Sequence, residues 1–179
     1  MNMMQTALLA SSLILASIAV SAQSISEKAG MNSALGIAPK TQDFVTLAAQ
    51  SDMLEIETSK LAIATSDNPK TKQFAEKMIK DHTEASSALK ALVEGGKVKA
   101  TLPTNLDRPH KEQLDKLAKL SGNEFTKEYG AFQVSAHKDA VSLFERYSKE
   151  GDNADLKAFA GKTLPHLQMH LKMAEELPK

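Results

Sequence analysis

Residues 41–69 read TQDFVTLAAQSDMLEIETSKLAIATSDNP, and apolar or small side chains recur there every three or four positions. The residues on this stripe are Phe44, Leu47, Ala48, Ser51, Leu54, Thr58, Leu61, Ala62 and Thr65. This spacing places them along one face of an α-helix, which turns once in about 3.6 residues. The helix should end at 66–69, because Asp67 or Asn68 can cap a new helix and Pro69 fits its first turn. The stretch therefore predicts an amphipathic helix over about 41–65.

Three more amphipathic helices follow along the chain. The second predicted helix begins at Pro69 and ends at the glycines at 95 and 96, the third follows Gly122, and the fourth follows the turn at 151–153. Pro165 lies inside the fourth helix and predicts a kink there. The connection between the second and third helices is long and contains a short helical piece of its own, through Leu114, Leu117 and Leu120.

Four such helices can bury their apolar stripes only against one another, and no run of alternating β-branched residues indicates a sheet. We therefore predict an all-α fold, a four-helix bundle with a short extra helix in its second connection. The domain should span 41–177, after a flexible lead-in over 23–40 that is rich in Ser, Ala and Gly. Periodicity alone leaves two topologies open, a simple up-down bundle and one in which the long connection crosses the length of the bundle.

The N-terminus has the pattern of an export signal. Residues 1–22 contain no charged side chain, and the apolar run 7–20 is followed by Val20-Ser21-Ala22, a small-residue cleavage pattern. Fourteen apolar residues are too few for a helix to span about 30 Å of hydrocarbon. We predict a cleavable signal peptide over 1–22, with a periplasmic or secreted mature chain that has no transmembrane span. The alternative is a buried N-terminal helix, since residues 1–6 lack the usual Lys or Arg.

Composition excludes several classes of function. Lys and Arg number 22, as do Asp and Glu, so no excess positive charge draws the chain to nucleic acid. The absence of Cys excludes disulfides, thiolate metal sites and a Cys nucleophile. No Gly-x-Ser-x-Gly turn indicates a serine hydrolase. We expect a non-enzymatic protein, with an envelope protein or a second copy in a weak homodimer as candidate partners.

Four polar side chains interrupt the apolar pattern, one on each predicted helix. They are Glu55, His82, His137 and His170. His82 and His170 lie on the stripes themselves, while Glu55 lies at the flank of its stripe. His137 falls on a secondary apolar strip beside the main one. A buried polar group needs a partner, because desolvation without one costs about 1–3 kcal/mol.

Two interpretations of these four residues remain open. Di-iron and di-manganese proteins build their sites from carboxylate and imidazole groups that face into a bundle. The first interpretation is therefore a divalent transition metal, held by Glu55, His82, His137 and His170 with Asp81 as a secondary ligand. The Glu-x-x-His pairs of those proteins are absent, since Ile79 and Leu167 occupy the positions three before His82 and His170. The alternative is a structural hydrogen-bond network with no metal.

A second metal pattern lies on the fourth helix. His166, Met169, His170 and Met173 are spaced to share one side of the helix, and thioether with imidazole suits copper. Met at helical spacing is more often a core side chain that fills gaps.

Several blocks of this sequence resemble a bacterial family of exported proteins, the domain-of-unknown-function family 4142. The blocks are Phe44-x-x-Leu-Ala-Ala, Met53-Leu-Glu55, Phe74-Ala75-x-x-Met78-Ile79-x-Asp81-His82, Leu120-Ser-Gly122-x-x-Phe125-x-x-x-Tyr129, His137 and Leu164-Pro165-x-Leu167-x-x-His170-Leu171. The resemblance covers about 41–177 and implies a ferritin-like bundle with the crossover topology, in the bacterial envelope and with no established activity. It also places Glu55, Asp81, His82, His137 and His170 on the family's motif positions.

The sequence leaves two candidate functions for the protein. The first is a non-enzymatic envelope or stress-related module whose inward Glu and His form a structural network. The second is a periplasmic protein that binds or handles a divalent metal through the same residues.

Overall fold

The computed structural model describes residues 30–179, and this part of the chain contains six α-helices and no strand. They are α1 (Met31–Ala34), α2 (Thr41–Thr65), α3 (Pro69–Glu94), α4 (Arg108–Leu117), α5 (Gly122–Glu150) and α6 (Ala154–Glu175). The predicted all-α class is therefore confirmed. The predicted signal peptide, 1–22, and residues 23–29 of the lead-in lie outside the described residues.

Three of the helices, α3, α4 and α6, begin at a residue whose side chain caps them. Asn68 accepts a hydrogen bond from the backbone N–H of Thr71 (3.1 Å) at the start of α3, and Pro69 occupies the first turn. Asp107 caps α4 in the same way, and Asn153 caps α6. Each cap satisfies a backbone donor that the first turn of a helix leaves free.

Part of the lead-in lies against the bundle. Residues 31–34 form the short helix α1, and the guanidinium of Arg146 on α5 donates a hydrogen bond to the carbonyl of Ile37. Pro39, just before α2, is buried. The segment from 30 to 40 thus covers one end of the α2–α5 face.

Contacts at the two ends of the bundle establish the path of the chain. Phe44, near the start of α2, stacks on Tyr147, near the end of α5, with ring centroids 4.1 Å apart. At the opposite end, the Ser66 hydroxyl after α2 is 2.8 Å from that of Thr126, in the first turn of α5. Helices α2 and α5 are therefore antiparallel, and α3, which returns from α2, runs in the same direction as α5.

The long connection must cross the bundle from the end of α3 to the start of α5. On the way, the side-chain amide of Gln50 on α2 donates to the carbonyl of Asn105 (2.9 Å) and accepts from the N–H of Asp107 (3.0 Å). Helix α4 lies in this connection and buries Leu117, whereas Leu120 follows the end of the helix. The bundle has the ferritin-like crossover, which decides between the two topologies that periodicity left open.

The apolar core consists of two clusters. The first surrounds Phe44, Leu89, Phe144 and Tyr147, and the second surrounds Phe74, Met78, Phe125 and Tyr129. Each long helix contributes to both clusters, so its middle turns lie between them. This arrangement places a buried layer at mid-height of the bundle.

Pro165 lies within α6, and the chain is helical on both sides of it. Among the described residues, no helix is apolar over a long enough stretch to cross a membrane.

Leu89 tests the core assignment, since its side chain is 1% exposed in the first cluster. We expect Leu89→Ala to lower the free energy of unfolding by about 2–5 kcal/mol, because it removes buried methyl groups and leaves a cavity. Leu35→Ala is the matched control, because Leu35 is 72% exposed, and it should change stability by less than about 0.5 kcal/mol. Urea denaturation measures both, and equal effects would contradict the core assignment.

Candidate metal centre

Three of the predicted residues meet in the layer between the two core clusters. His82 on α3, His137 on α5 and His170 on α6 are each no more than 3% exposed. Their ring centroids lie 5.4–5.7 Å apart, and one imidazole nitrogen from each ring lies within 4.8 Å of the other two. We refer to these residues as the histidine trio.

One nitrogen of each ring is hydrogen-bonded to an acceptor outside the histidine trio. The Nδ1 of His82 lies 2.8 Å from a carboxylate oxygen of Asp52 on α2, and the other oxygen of Asp52 accepts from the Ser86 hydroxyl (3.0 Å). His137 donates from Nδ1 to the backbone carbonyl of Gln133, at 2.9 Å. These bonds fix the orientation of both rings.

His170 is held by a carboxylate on a neighbouring helix. Its Nε2 lies 2.8 Å from an oxygen of Asp81 on α3, and the same oxygen accepts from the Lys77 ammonium at 2.8 Å. Asp81 therefore orients a histidine ring, rather than pairing with its sequence neighbour His82.

The remaining nitrogen of each ring has no hydrogen-bond partner in residues 30–179. These atoms are Nε2 of His82, Nε2 of His137 and Nδ1 of His170. A buried polar atom without a partner costs about 1–3 kcal/mol, so three together call for an explanation. Histidine ligands of metals show the same division, with one nitrogen on the metal and the other donating to a carboxylate or carbonyl. The trio fits a metal ion in its donor set and in the partners that orient it.

Burial determines the charge on two of the rings. Desolvation, together with the positive charge of His82 nearby, lowers the pKa of His137 to about 4. Desolvation likewise lowers the pKa of His170 to about 4 and outweighs the hydrogen bond to Asp81. Both imidazoles are therefore neutral at pH 7, the form that binds a metal.

His82 behaves differently because of its carboxylate partner. Burial alone would lower its pKa, but the hydrogen bond and the charge of Asp52 outweigh burial and raise the pKa of His82 above its usual value. A metal ion would have to displace a proton from this ring.

Glu55 lies beside the trio but is not one of the grouped ligands. One carboxylate oxygen accepts from the Gln133 amide (2.6 Å), and the other is 4.0 Å from Nδ1 of His137 and has no hydrogen-bond partner within 30–179. Desolvation raises the pKa of Glu55 to about 7. Its carboxyl group lies on the side of the His137 ring that carries Nδ1, and it is only partly ionised at pH 7.

The predicted copper pattern on α6 is divided between surface and core. His166 and Met169 are exposed, whereas Met173 is partly buried against the second core cluster. Only His170 of these four residues belongs to the trio.

Sequence reasoning missed two residues that hold the site, Asp52 and Gln133. Both are buried, at 6% and 0% exposure, and both lie at helical spacing from a residue that was identified. Asp52 precedes Glu55 by three positions, and Gln133 precedes His137 by four. A search for polar residues at these offsets would have found them. It would also have placed His137 on the inner face of α5 rather than on a secondary strip.

Fold and site together define a class: helical bundles with a ferritin-like crossover and a polar, histidine-containing layer inside the core. Within that class, the chain belongs to the family described as a domain of unknown function, DUF4142, whose model matches residues 26–177.

Comparison with solved structures shows the same fold in a protein described as CopM in the Cu(II)-bound form. The TM-score is 0.65 at 16% sequence identity, and the match covers 78% of this chain and 96% of that one. A comparison with curated proteins gave no match. At this identity, the structural likeness concerns the fold alone.

The pKa values predict how the stability of the metal-free protein varies with pH. Between about 4.5 and 6.5, His137 and His170 bind protons only when unfolded, whereas Glu55 binds one only when folded. The unfolded state then binds more protons, so the free energy of unfolding should rise with pH in this window, by about 1.4 kcal/mol per unit for each proton of difference. His170→Gln should flatten this rise and Glu55→Gln should steepen it. Urea denaturation with a chelator present measures the slopes, and identical slopes in all three proteins would contradict the assignment.

Proposed function

We propose that the protein is an exported bundle that binds a divalent transition metal through His82, His137 and His170. The observation that carries the proposal is the set of three buried nitrogens without hydrogen-bond partners in the described chain, in rings whose other nitrogens are bonded to Asp52, Gln133 and Asp81. This is the second of the two functions that the sequence left open.

The hydrogen-bond pattern favours a metal over a purely structural network. A polar network inside a core stabilises the fold when every member is satisfied, and a network that is only partly satisfied is worse than an apolar core. Here each ring is bonded on its outer nitrogen, whereas the three inner nitrogens have no partner in the described residues. A cation at the centre would supply the missing partner to all three rings at once.

Nearby carboxylates supply compensating charge. A divalent ion in a buried layer would be costly without negative groups close by. Asp52 and Asp81 lie one hydrogen bond beyond the trio, and Glu55 lies beside His137. These three acids can balance the charge of the ion without being ligands themselves.

The chemistry of the donors favours certain metals. Three imidazoles with no thiolate suit Cu²⁺, Zn²⁺ and Ni²⁺ better than Mg²⁺ or Ca²⁺, and Cu²⁺ ranks highest among the divalent first-row ions. The structurally similar CopM protein is described in a Cu(II)-bound form, so Cu²⁺ is the first ion to try. Three protein ligands leave a coordination position open, which suits a protein that takes up an ion and later releases it.

The proposed location is the periplasm or the cell exterior. The charge-free segment 1–22 with its apolar run supports export. A bundle without Cys keeps its ligand chemistry in an oxidising compartment, because histidine does not form disulfides.

The structural network remains as a second candidate function. The bond between Asp52 and His82 joins α2 to α3, that between Asp81 and His170 joins α3 to α6, and that between Glu55 and Gln133 joins α2 to α5. These bonds would also support a non-enzymatic envelope module. The two candidates differ in whether a metal changes stability.

Thermal unfolding at pH 7.5 with and without Cu²⁺, Zn²⁺ or Ni²⁺ distinguishes the two candidate functions. One of these ions should stabilise the protein by about 2.7 kcal/mol when present at a hundredfold excess over its dissociation constant. His82→Ala and His170→Ala should each abolish this gain.

His166→Ala is the matched control, because His166 lies one turn before His170 on the same helix but is exposed. It should retain the stabilisation by metal. If no ion shifts the unfolding midpoint of the unmodified protein, the structural network is the better account.

Asp52→Asn tests the role of the orienting carboxylate. The asparagine keeps the size of the side chain but loses the charge that holds the His82 ring, so metal affinity should fall about 10–100-fold without being abolished. Glu57→Gln is the control, since Glu57 is exposed on the same helix and pairs with Lys60 at the surface. Competition with a chromogenic chelator measures both affinities, and equal affinities would contradict the role of Asp52.

A further inference from the structure

The histidine trio is closed off along the axis of the bundle. The cluster around Phe44 and Tyr147 fills one side of the layer, and the cluster around Phe74 and Tyr129 fills the other. Among the described residues, an ion can therefore reach the trio only from the side, between two helices.

The larger lateral opening does not lead to the histidines. A groove of about 890 Å³ runs between α2 and α5, with Leu54, Phe132 and Leu143 among its walls. Glu55 is one of its lining residues, but none of the three trio residues lines it. An ion in this groove would therefore not contact a ring of the trio.

A smaller opening between α3 and α6 does lead there. This α3–α6 pocket has a volume of about 190 Å³, and its inner end is formed by His82 and His170 with their partners Asp52 and Asp81. Its outer end includes Glu84, Lys162 and His166, which are all exposed. The pocket is large enough for an ion with several water molecules, since one water needs only about 10–15 Å³ of such space.

His166 is the exposed lining residue of this pocket that carries an imidazole, a group that binds transition metals. It precedes His170 by four residues on α6, so the two rings lie on one side of the helix, one turn apart. An ion can thus bind His166 at the surface and pass to His170 without leaving the pocket. His137, which does not line the pocket, would be the last ligand to bind.

We infer that the α3–α6 pocket is the route by which the metal enters and leaves the histidine trio, with His166 as the transient first ligand at its mouth. The inference rests on the proposed metal-binding function. It assigns His166 a role in the rate of exchange and none in the final complex.

Stopped-flow mixing with Cu²⁺ tests the route, with quenching of tyrosine fluorescence as the signal. His166→Ala should slow association and dissociation by the same factor, about tenfold, which is the lower end of what loss of a group near a bound metal costs. The equilibrium dissociation constant should stay the same, because a transient ligand contributes to neither end state. His110→Ala is the control, since His110 lines the α2–α5 groove and should leave both rates unchanged.

A second pair of variants tests the pocket itself without removing any ligand. Ala88 is exposed and lines the α3–α6 pocket, whereas Ala91 is exposed on the same helix and does not. Ala88→Phe should narrow the pocket and slow both rates, and Ala91→Phe should not.

The outcomes separate the route from the function. Unchanged rates in either His166→Ala or Ala88→Phe would overturn the inference while the trio remained a metal site. A weaker equilibrium affinity in His166→Ala would also overturn it, because His166 would then belong to the final complex. Failure of the unmodified protein to bind Cu²⁺, Zn²⁺ or Ni²⁺ at equilibrium would overturn the proposed function, and the route with it.

Discussion

A buried imidazole ring has two nitrogens that both need a partner, and this requirement governs the middle of the molecule. In the described chain, each ring of the trio satisfies one nitrogen through an acceptor on its own helix or a neighbouring one. The acceptors Asp52 and Asp81 are in turn held by Ser86 and Lys77. The need of each imidazole for a partner therefore extends to a second set of polar residues around the trio, which hold its acceptors in place.

The two apolar clusters make this arrangement possible. Each cluster is built around stacked aromatic rings, such as Phe44 on Tyr147 and Phe125 on Tyr129. Burial of these large side chains contributes the main stabilisation, because the hydrophobic effect scales with the apolar area removed from water. The polar layer between them can be energetically costly without unfolding the bundle. The same clusters close the layer along the axis of the bundle, and burial lowers the pKa of His137 and His170 to about 4.

The sequence allowed the helices to be predicted almost to the residue, because stripes and caps such as Asn68 act locally. It also identified every member of the histidine trio, since each interrupts an apolar face. The hydrogen-bond partners of the three histidines were harder to predict, because they depend on how far each helix is shifted along its axis relative to the next. Asp81 is the clearest case: the sequence marked it as a secondary metal ligand, but could not show that its hydrogen-bond partner is His170 on another helix.

The crossover gives the trio a further property. His82 belongs to the first helical hairpin, while His137 and His170 belong to the second, so a bound ion would join two halves that are distant along the chain. It would close two loops, from 82 to 137 and from 137 to 170, and a cross-link that closes long loops restricts the unfolded chain most. A protein with no cysteine has no disulfide to do this. The ion would act as a removable cross-link, and the resistance of the domain to proteases would then increase with the concentration of metal around it.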